Sequence, residues 1–70
     1  MIDVSLKGVR CRAANEILDI DGIIGASTEG TIVYELEGEG GQLVNVCWDD
    51  GTRTLVSSEE IIITDLVTWN

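Results

Sequence analysis

The sequence holds few side chains whose types and spacing could support catalysis. It has no histidine, the residue that most often serves as a general base or a metal ligand. Asp49 and Asp50 are adjacent carboxylates of the kind that can divide acid and base roles. Consecutive residues of a strand point to opposite faces, however, and an Asp directly before Gly51 is favoured by a hairpin turn. We therefore assign both carboxylates to a turn, and we predict no catalytic residue and no enzyme activity.

Two other segments match ligand-binding loops only in part. Residues 19–22 begin like a calcium-binding loop, but Thr28 stands where such a loop requires Glu. The glycine-rich residues 38–41 lack the Lys and Ser/Thr that follow in a phosphate-binding loop, and Glu37 and Glu39 bring negative charge to the same place. The sequence therefore predicts an acidic loop and a flexible hairpin tip at these positions, with no metal and no cofactor.

The two cysteines, Cys11 and Cys47, are too few for a disulfide framework. Strand alternation places the side chain of Cys11 inside and that of Cys47 outside, so the two sulfur atoms should not meet. No positively charged and then apolar leader begins the sequence, and no apolar run approaches the roughly 20 residues of a membrane span. We predict two free thiols in a cytoplasmic protein.

The net charge of −9 limits the partners of the chain. The cations are Lys7, Arg10, Arg12 and Arg53, so no positive charge falls between the last two. Because affinity for phosphate backbones and anionic lipids depends on Lys and Arg, this pattern disfavours direct binding of nucleic acid and docking to a membrane. Three interpretations stay open: acidity that only keeps the chain soluble, attraction to a basic protein partner, and mimicry of nucleic acid.

Alternating apolar and polar residues predict about five short strands. The predicted strands are residues 8–13, 30–37, 42–48, 52–56 and 61–63, and residues 14–29 form a long connecting loop. The Asp50–Gly51 pair marks a two-residue hairpin turn, and Ser57 with Glu60 has the spacing of a capping box before one 3₁₀-like turn. Three successive isoleucines at 61–63 are too apolar for a one-sided strand, so we expect this strand between the layers of a closed sheet.

The same alternation predicts which side chains face the core. The inward set is Val9, Cys11, Ile32, Tyr34, Leu36, Val44, Val46 and Trp48. Arg10 and Arg12 share the outer side of the first strand, where cross-strand pairing with Glu35 or Glu37 is the simplest role for them.

The order of these elements resembles that of SH3-like barrels. The resemblance is carried by the G-V-R-C-R strand from Gly8, the V-N-V-C-W-D-D-G hairpin from Val44 and the 3₁₀-like turn before a last strand. It is a likeness to the KOW, Tudor and Mind-bomb/Herc2 types and to several uncharacterised bacterial families, and it covers residues 7–64. It implies one domain over residues 1–70, a small barrel of about five antiparallel strands, with residues 65–70 as a tail. Such domains bind peptides, nucleic acid or a larger enzyme subunit. Because the basic loops of nucleic-acid binders and the aromatic cage of methyl-lysine readers are missing, the resemblance implies protein binding.

We therefore expect a non-catalytic protein-interaction module or a small accessory subunit. Its candidate partner surface combines the outward-facing Val33, Leu43 and Cys47 with Trp69, a large aromatic residue beyond the last predicted strand. Trp69 either packs on its own barrel or contacts another molecule, and the apolar tail could close a homodimer. The alternative function is an acidic inhibitor or decoy that mimics nucleic acid at a basic protein partner.

Overall fold

Strands form where β-branched and aliphatic residues are concentrated in this chain. The computed structural model describes residues 2–19 and 22–64. The strands in these ranges are β1 (Ile2–Asp3), β2 (Arg10–Ala13), β3 (Ile17–Asp19), β4 (Gly22–Ile24), β5 (Glu29–Gly38), β6 (Gly41–Trp48), β7 (Arg53–Ser57) and β8 (Ile61–Ile63). One 3₁₀ turn, Ser58–Glu60, lies between β7 and β8 as predicted. The expected all-β fold is confirmed, whereas the predicted tail at residues 65–70 lies outside the described residues.

The main sheet is antiparallel throughout, in the order β7–β6–β5–β2–β8, and β1 also pairs with β5. β7 and β8 occupy the two ends of this order and are not paired with each other. Within residues 2–19 and 22–64, hydrogen bonds between strands therefore do not close the sheet into a barrel.

A second sheet of two strands lies inside the segment that was predicted to be a loop at residues 14–29. β3 and β4 pair with Ile17 opposite Ile24 and with Leu18 opposite Ile23. Ile17 and Ile24 are buried in the core, while the other pair is exposed. The loop prediction was wrong here, because strands of three residues are too short to show an alternating pattern.

Two turns set the register of β5, β6 and β7. Gly38 lies opposite Gly41, which has a φ of +115°, so two residues connect β5 to β6. Four residues, 49–52, lie between β6 and β7, and the hydrogen bond between Trp48 and Thr52 leaves a turn of three residues rather than the predicted two. There the Trp48 amide donates to the Thr52 carbonyl at 2.7 Å, and the amide of Gly51, which has a φ of +93°, donates to the Trp48 carbonyl at 2.9 Å. The positive φ at each turn explains the glycine there.

A β-bulge interrupts the pairing of β5 with β6. Ile32 lies opposite Val46, but the next pair along the strands is Tyr34 with Asn45. Val33 is therefore an extra residue with none opposite it. Because one extra residue shifts the two-residue period of a strand, every side chain that follows it changes face.

Beyond this bulge, the predicted inside and outside of β5 are exchanged. Tyr34 and Leu36, which the alternation placed in the core, are half-buried on the outer side. Glu35, which it placed outside, is 8% exposed and lies opposite the buried Val44. The predictions for Tyr34, Leu36 and Glu35 were wrong for this one reason.

The core occupies the inner side of the main sheet. Its buried apolar residues are Cys11, Ala13, Ile17, Ile24, Ile32, Val44, Val46, Trp48 and Val56, and Leu6, Val9 and Ile61 pack against them at partial exposure. The inward predictions are thus confirmed for Cys11, for Ile32 and for the three buried residues of β6. The indole N–H of Trp48 donates to Oγ1 of Thr54 at 2.8 Å, which satisfies the polar atom of the largest core side chain.

β8 lies at an edge of the sheet and not between two layers. Ile62 and Ile63 are 43% and 38% exposed, which corrects the expectation of a fully enclosed strand. The capping box before β8 is confirmed. The Glu59 amide donates to Oγ of Ser57 at 3.4 Å, and the Ser57 amide donates to Oε1 of Glu60 at 3.3 Å.

We predict that Gly30→Ala destabilises the fold. A Cβ at Gly30 would lie 2.8 Å from Cγ1 of Val46, 2.9 Å from the carbonyl oxygen of Cys47 and 2.9 Å from Cε3 of Trp48. Crowding of this kind lowers the free energy of unfolding by about 1–3 kcal/mol, which the urea midpoint would report. The control is Gly40→Ala, where a Cβ meets nothing within 4 Å. Equal midpoints for the two variants would contradict the close packing at Gly30.

The two cysteines should differ in reactivity. Both are free, with Cys11 buried and Cys47 half-buried on the opposite side of the sheet. Burial also raises the pKa of the Cys11 thiol, which lowers its thiolate fraction. A maleimide should therefore label Cys47 in the folded chain and both cysteines after denaturation without reductant. Mass spectrometry of the peptides would check this, and a denatured chain that labels at neither cysteine would reveal a disulfide.

Candidate functional site

The outer side of β5, β6 and β7 carries three rows of side chains, which we call the outer face. The rows are Leu36–Leu43–Ser57, Tyr34–Asn45–Leu55 and Thr31–Cys47–Arg53. Residues directly opposite each other in antiparallel strands share a face and lie within contact distance. The register alone therefore brings these nine side chains together.

The first two rows of the outer face are mostly apolar and accessible. Leu43 and Leu55 are 37% and 46% exposed, and Tyr34 and Leu36 are half-buried. Ile2 of β1 lies opposite Leu36 and extends the first row with an exposed side chain. Apolar side chains gathered on one sheet face are typical of a surface that contacts another molecule, whereas isolated ones need no explanation.

Two of the four residues of the predicted partner surface lie on this face. Leu43 and Cys47 belong to it, as their predicted outward orientation requires. Val33 is the half-buried extra residue of the bulge and has no place in the three rows. Trp69 lies outside the described residues. The structure thus brings two of the four predicted residues together.

Sequence reasoning missed Tyr34, Leu36 and Leu55 as members of this surface. A signal for Leu36 was present, because a two-residue turn at positions 39–40 pairs Leu36 with Leu43. Paired residues share a face, so Leu36 could not point inward while Leu43 pointed outward. That conflict requires an extra residue in one of the two strands, and the structure has it at Val33.

A pocket of about 260 Å³ opens on the inner side of the sheet. Its lining is Leu6, Ile32, Glu35, Val44, Ser58, Ile61 and Ile63. One carboxylate and one hydroxyl are thus set among apolar side chains. Oε2 of Glu35 accepts a hydrogen bond from Nε2 of Gln42, and Asp3 of β1 lies opposite Glu35 in the sheet. The pocket therefore carries negative charge without a basic residue in its lining.

Arg10 pairs with Asp49 and not with Glu35 or Glu37, so that prediction was wrong. Nη1 of Arg10 lies 2.8 Å from Oδ1 of Asp49, and Nη2 lies 2.6 Å from Oδ2. Nη1 also donates to Oγ1 of Thr31 at 2.8 Å. The bulge explains why Arg10 does not pair with Glu35, because it turns Glu35 to the inner side of the sheet while Arg10 stays on the outer side.

Arg12 and Asp50 have simpler roles. Arg12 is exposed and lies opposite Glu29 of β5, so its predicted pairing with Glu35 or Glu37 was also wrong. Oδ1 of Asp50 accepts from the Thr52 amide at 2.8 Å, which confirms its predicted role in the turn.

The described residues also bear on two other kinds of feature, a metal site and a membrane-spanning helix. Among residues 2–19 and 22–64, no three acidic or cysteine side chains lie close enough together to hold a metal ion. In the same residues, no helix has the length and apolarity needed to cross a membrane. No protein-family model, curated protein or solved structure matches the chain.

The Arg10–Asp49 pair predicts a pH dependence of stability. The hydrogen bonds from Arg10 hold the pKa of Asp49 in the folded chain below its ordinary value of 3.8. The stabilisation is thus fully present above the unfolded pKa and is lost as the pH falls through the lower folded pKa. We expect the urea midpoint to decrease when the pH is lowered from 6 to 2.5. The decrease should be smaller in the Asp49→Asn variant.

The control for this experiment is Glu16→Gln, which makes the same charge change at an exposed loop residue. It should keep the pH dependence of the parent chain. An Asp49→Asn variant whose midpoint falls as steeply as that of the parent would show that the pair does not contribute.

Proposed function

We propose that this chain is a non-catalytic protein-interaction module, or a small accessory subunit, that contacts its partner through the outer face. The observation that supports this proposal is the bulge at Val33, which moves Tyr34 and Leu36 from the core side to the side of Leu43 and Leu55. A chain of 70 residues has little apolar surface to spare from its core. Large side chains placed outside are therefore best explained by contact with another molecule.

The composition of the outer face suits a protein partner. Tyrosine and leucine side chains contribute apolar contact area, and the tyrosine hydroxyl and the Asn45 amide can hydrogen-bond at the same surface. Cys47 and Arg53 border this apolar group on the third row. Apolar side chains with polar groups among them and at their border are common in interfaces between proteins.

The charge of the chain favours a basic partner. The net charge is −9, and of its four cations Arg10 is already paired with Asp49. A partner with Lys or Arg around an apolar centre would be attracted at long range and would bind faster at low salt. Two free thiols also fit a reducing compartment, so we place the module in the cytoplasm.

An SH3-like barrel remains our proposal for the finer architecture. It is supported by the long β5–β6 hairpin, by the short β7 after it and by the 3₁₀ turn that leads into β8. In this interpretation β7 and β8 would approach each other at the open side of the sheet.

We predict that Leu43→Gln weakens binding of the partner. Extract from the organism that carries the chain would be passed over immobilised parent protein, Leu43→Gln and Leu18→Gln. Leu18 is 77% exposed on β3, outside the outer face, so it is a matched control for the loss of one exposed leucine. Leu43→Gln should reduce the quantity of a specifically retained protein by about tenfold, the change that corresponds to about 1.4 kcal/mol.

Three outcomes would contradict this proposal. Equal retention on the parent and on Leu43→Gln would exclude the outer face as the surface that contacts the partner. Sedimentation that shows a homodimer broken by Leu43→Gln would assign the face to a second copy of this chain. Retention that is insensitive to Leu43→Gln, is lost steeply with salt and is displaced by DNA would favour the nucleic-acid decoy.

A further inference from the structure

The Glu35 pocket is an independent feature on the side of the sheet away from the outer face. Glu35 is more than nine-tenths buried, and its neighbours in the pocket are apolar apart from Ser58. Removing a carboxylate from water is costly unless it is paired and hydrogen-bonded. Within residues 2–19 and 22–64, Glu35 forms no salt bridge, and Gln42 supplies its one side-chain hydrogen bond.

The sheet register adds more negative charge beside this carboxylate. Asp3 lies directly opposite Glu35 on β1, and Glu37 follows on the same face of β5. Like charges opposite each other in a sheet are destabilising. A cation that enters the pocket would pair with Glu35 and would also reduce the repulsion between this carboxylate and its two acidic neighbours in the sheet.

The pocket therefore calls for a ligand with a positive end and an apolar stem. Ile32, Val44, Ile61 and Leu6 can contact methylene groups, and Glu35 can accept a hydrogen bond from the charged end. The volume of about 260 Å³ lies below the range of about 300–1,000 Å³ for clefts that hold drug-sized ligands. It suits a single side chain.

We propose that this pocket receives a lysine side chain of a protein partner. Lysine is preferred to arginine because a guanidinium binds a carboxylate best through both oxygens, and Oε2 of Glu35 is already bonded to Gln42. An ammonium needs only the second oxygen, and its other protons can reach the Ser58 hydroxyl and water. Lys7 of this chain, next to the pocket residue Leu6, is exposed and forms no salt bridge with Glu35.

The first test uses n-pentylammonium chloride, which reproduces the stem and the charge of lysine. The amide resonances of Ile32, Val44 and Ile61 should shift saturably in a ¹H–¹⁵N NMR titration, with a Kd on the order of millimolar for a ligand of this size. Pentanol, the uncharged analogue, and n-butylguanidinium should bind at least about threefold more weakly. Absent or unsaturable shifts, or equal binding of pentanol, would overturn the proposal.

Variants separate the pocket from the general acidity of the chain. Glu35→Gln keeps the size of the side chain and should weaken pentylammonium binding by about tenfold or more, since a charge-assisted hydrogen bond is lost. Glu39→Gln makes the same charge change at the exposed hairpin tip and should bind like the parent. Ser58→Ala should weaken pentylammonium binding by about two- to fivefold. This second variant tests the pocket if Glu35→Gln alters the fold. Equal effects of Glu35→Gln and Glu39→Gln would overturn the assignment.

A peptide distinguishes a protein lysine from a free amine. Acetyl-Gly-Gly-Lys-Gly-Gly-amide should shift the same resonances, whereas the peptide with norleucine in place of lysine should not. Binding of pentylammonium without the peptide would mean that the pocket takes small amines and would contradict the protein partner. Leu43→Gln should bind pentylammonium as the parent does, so the proposals for the pocket and for the outer face can be contradicted separately.

Discussion

The two-residue turn between β5 and β6 and the bulge at Val33 together determine which side chains this chain buries. The turn pairs Leu36 with Leu43 and Glu35 with Val44, while the far end of the hairpin pairs Ile32 with Val46. The pairs Ile32–Val46 and Glu35–Val44 can form together only if β5 contains one residue more than β6 between them. Val33 is that residue, and without it Ile32 and Glu35, which are three positions apart, would point to opposite faces of β5.

The bulge has opposite consequences on the two sides of the sheet. On the outer side it leaves Tyr34 and Leu36 accessible next to Leu43. On the inner side it places the Glu35 carboxylate where an aliphatic side chain would fill the core, and the hydrogen bond from Gln42 offsets part of the cost of burying it. A fold selected only for stability would avoid both arrangements, since each sacrifices apolar burial in a chain that has little of it.

Much of the fold was predictable where strands are long and turns have clear signals. The outward phase of Leu43 and Cys47, the buried face of β6 and the capping box at Ser57 follow from local patterns and are found in the structure. The pairing of β3 with β4 did not follow, because three residues carry no measurable period. The exposure of β8 did not follow either, because Ile61–Ile63 has the same composition at an edge as in an enclosed layer. For the candidate site, the error at Glu35 came from extending one strand period across a bulge, although the turn geometry already contradicted it.

Electrostatics relates the two proposed contacts, on opposite sides of the sheet, to one kind of partner. Of the four cations, Arg10 is held by both oxygens of Asp49 on the outer side, and none lines the inner pocket. Within residues 2–19 and 22–64, none of the carboxylates at Asp3, Glu35 and Glu37 forms a salt bridge. A basic protein can supply a counter-charge while its apolar surface covers the outer face, and the two contacts would then add through their joint attachment to a single partner. In the proposed complex each contact alone can be weak, because a partner that matches both the outer face and the Glu35 pocket is distinguished from one that matches only one of them.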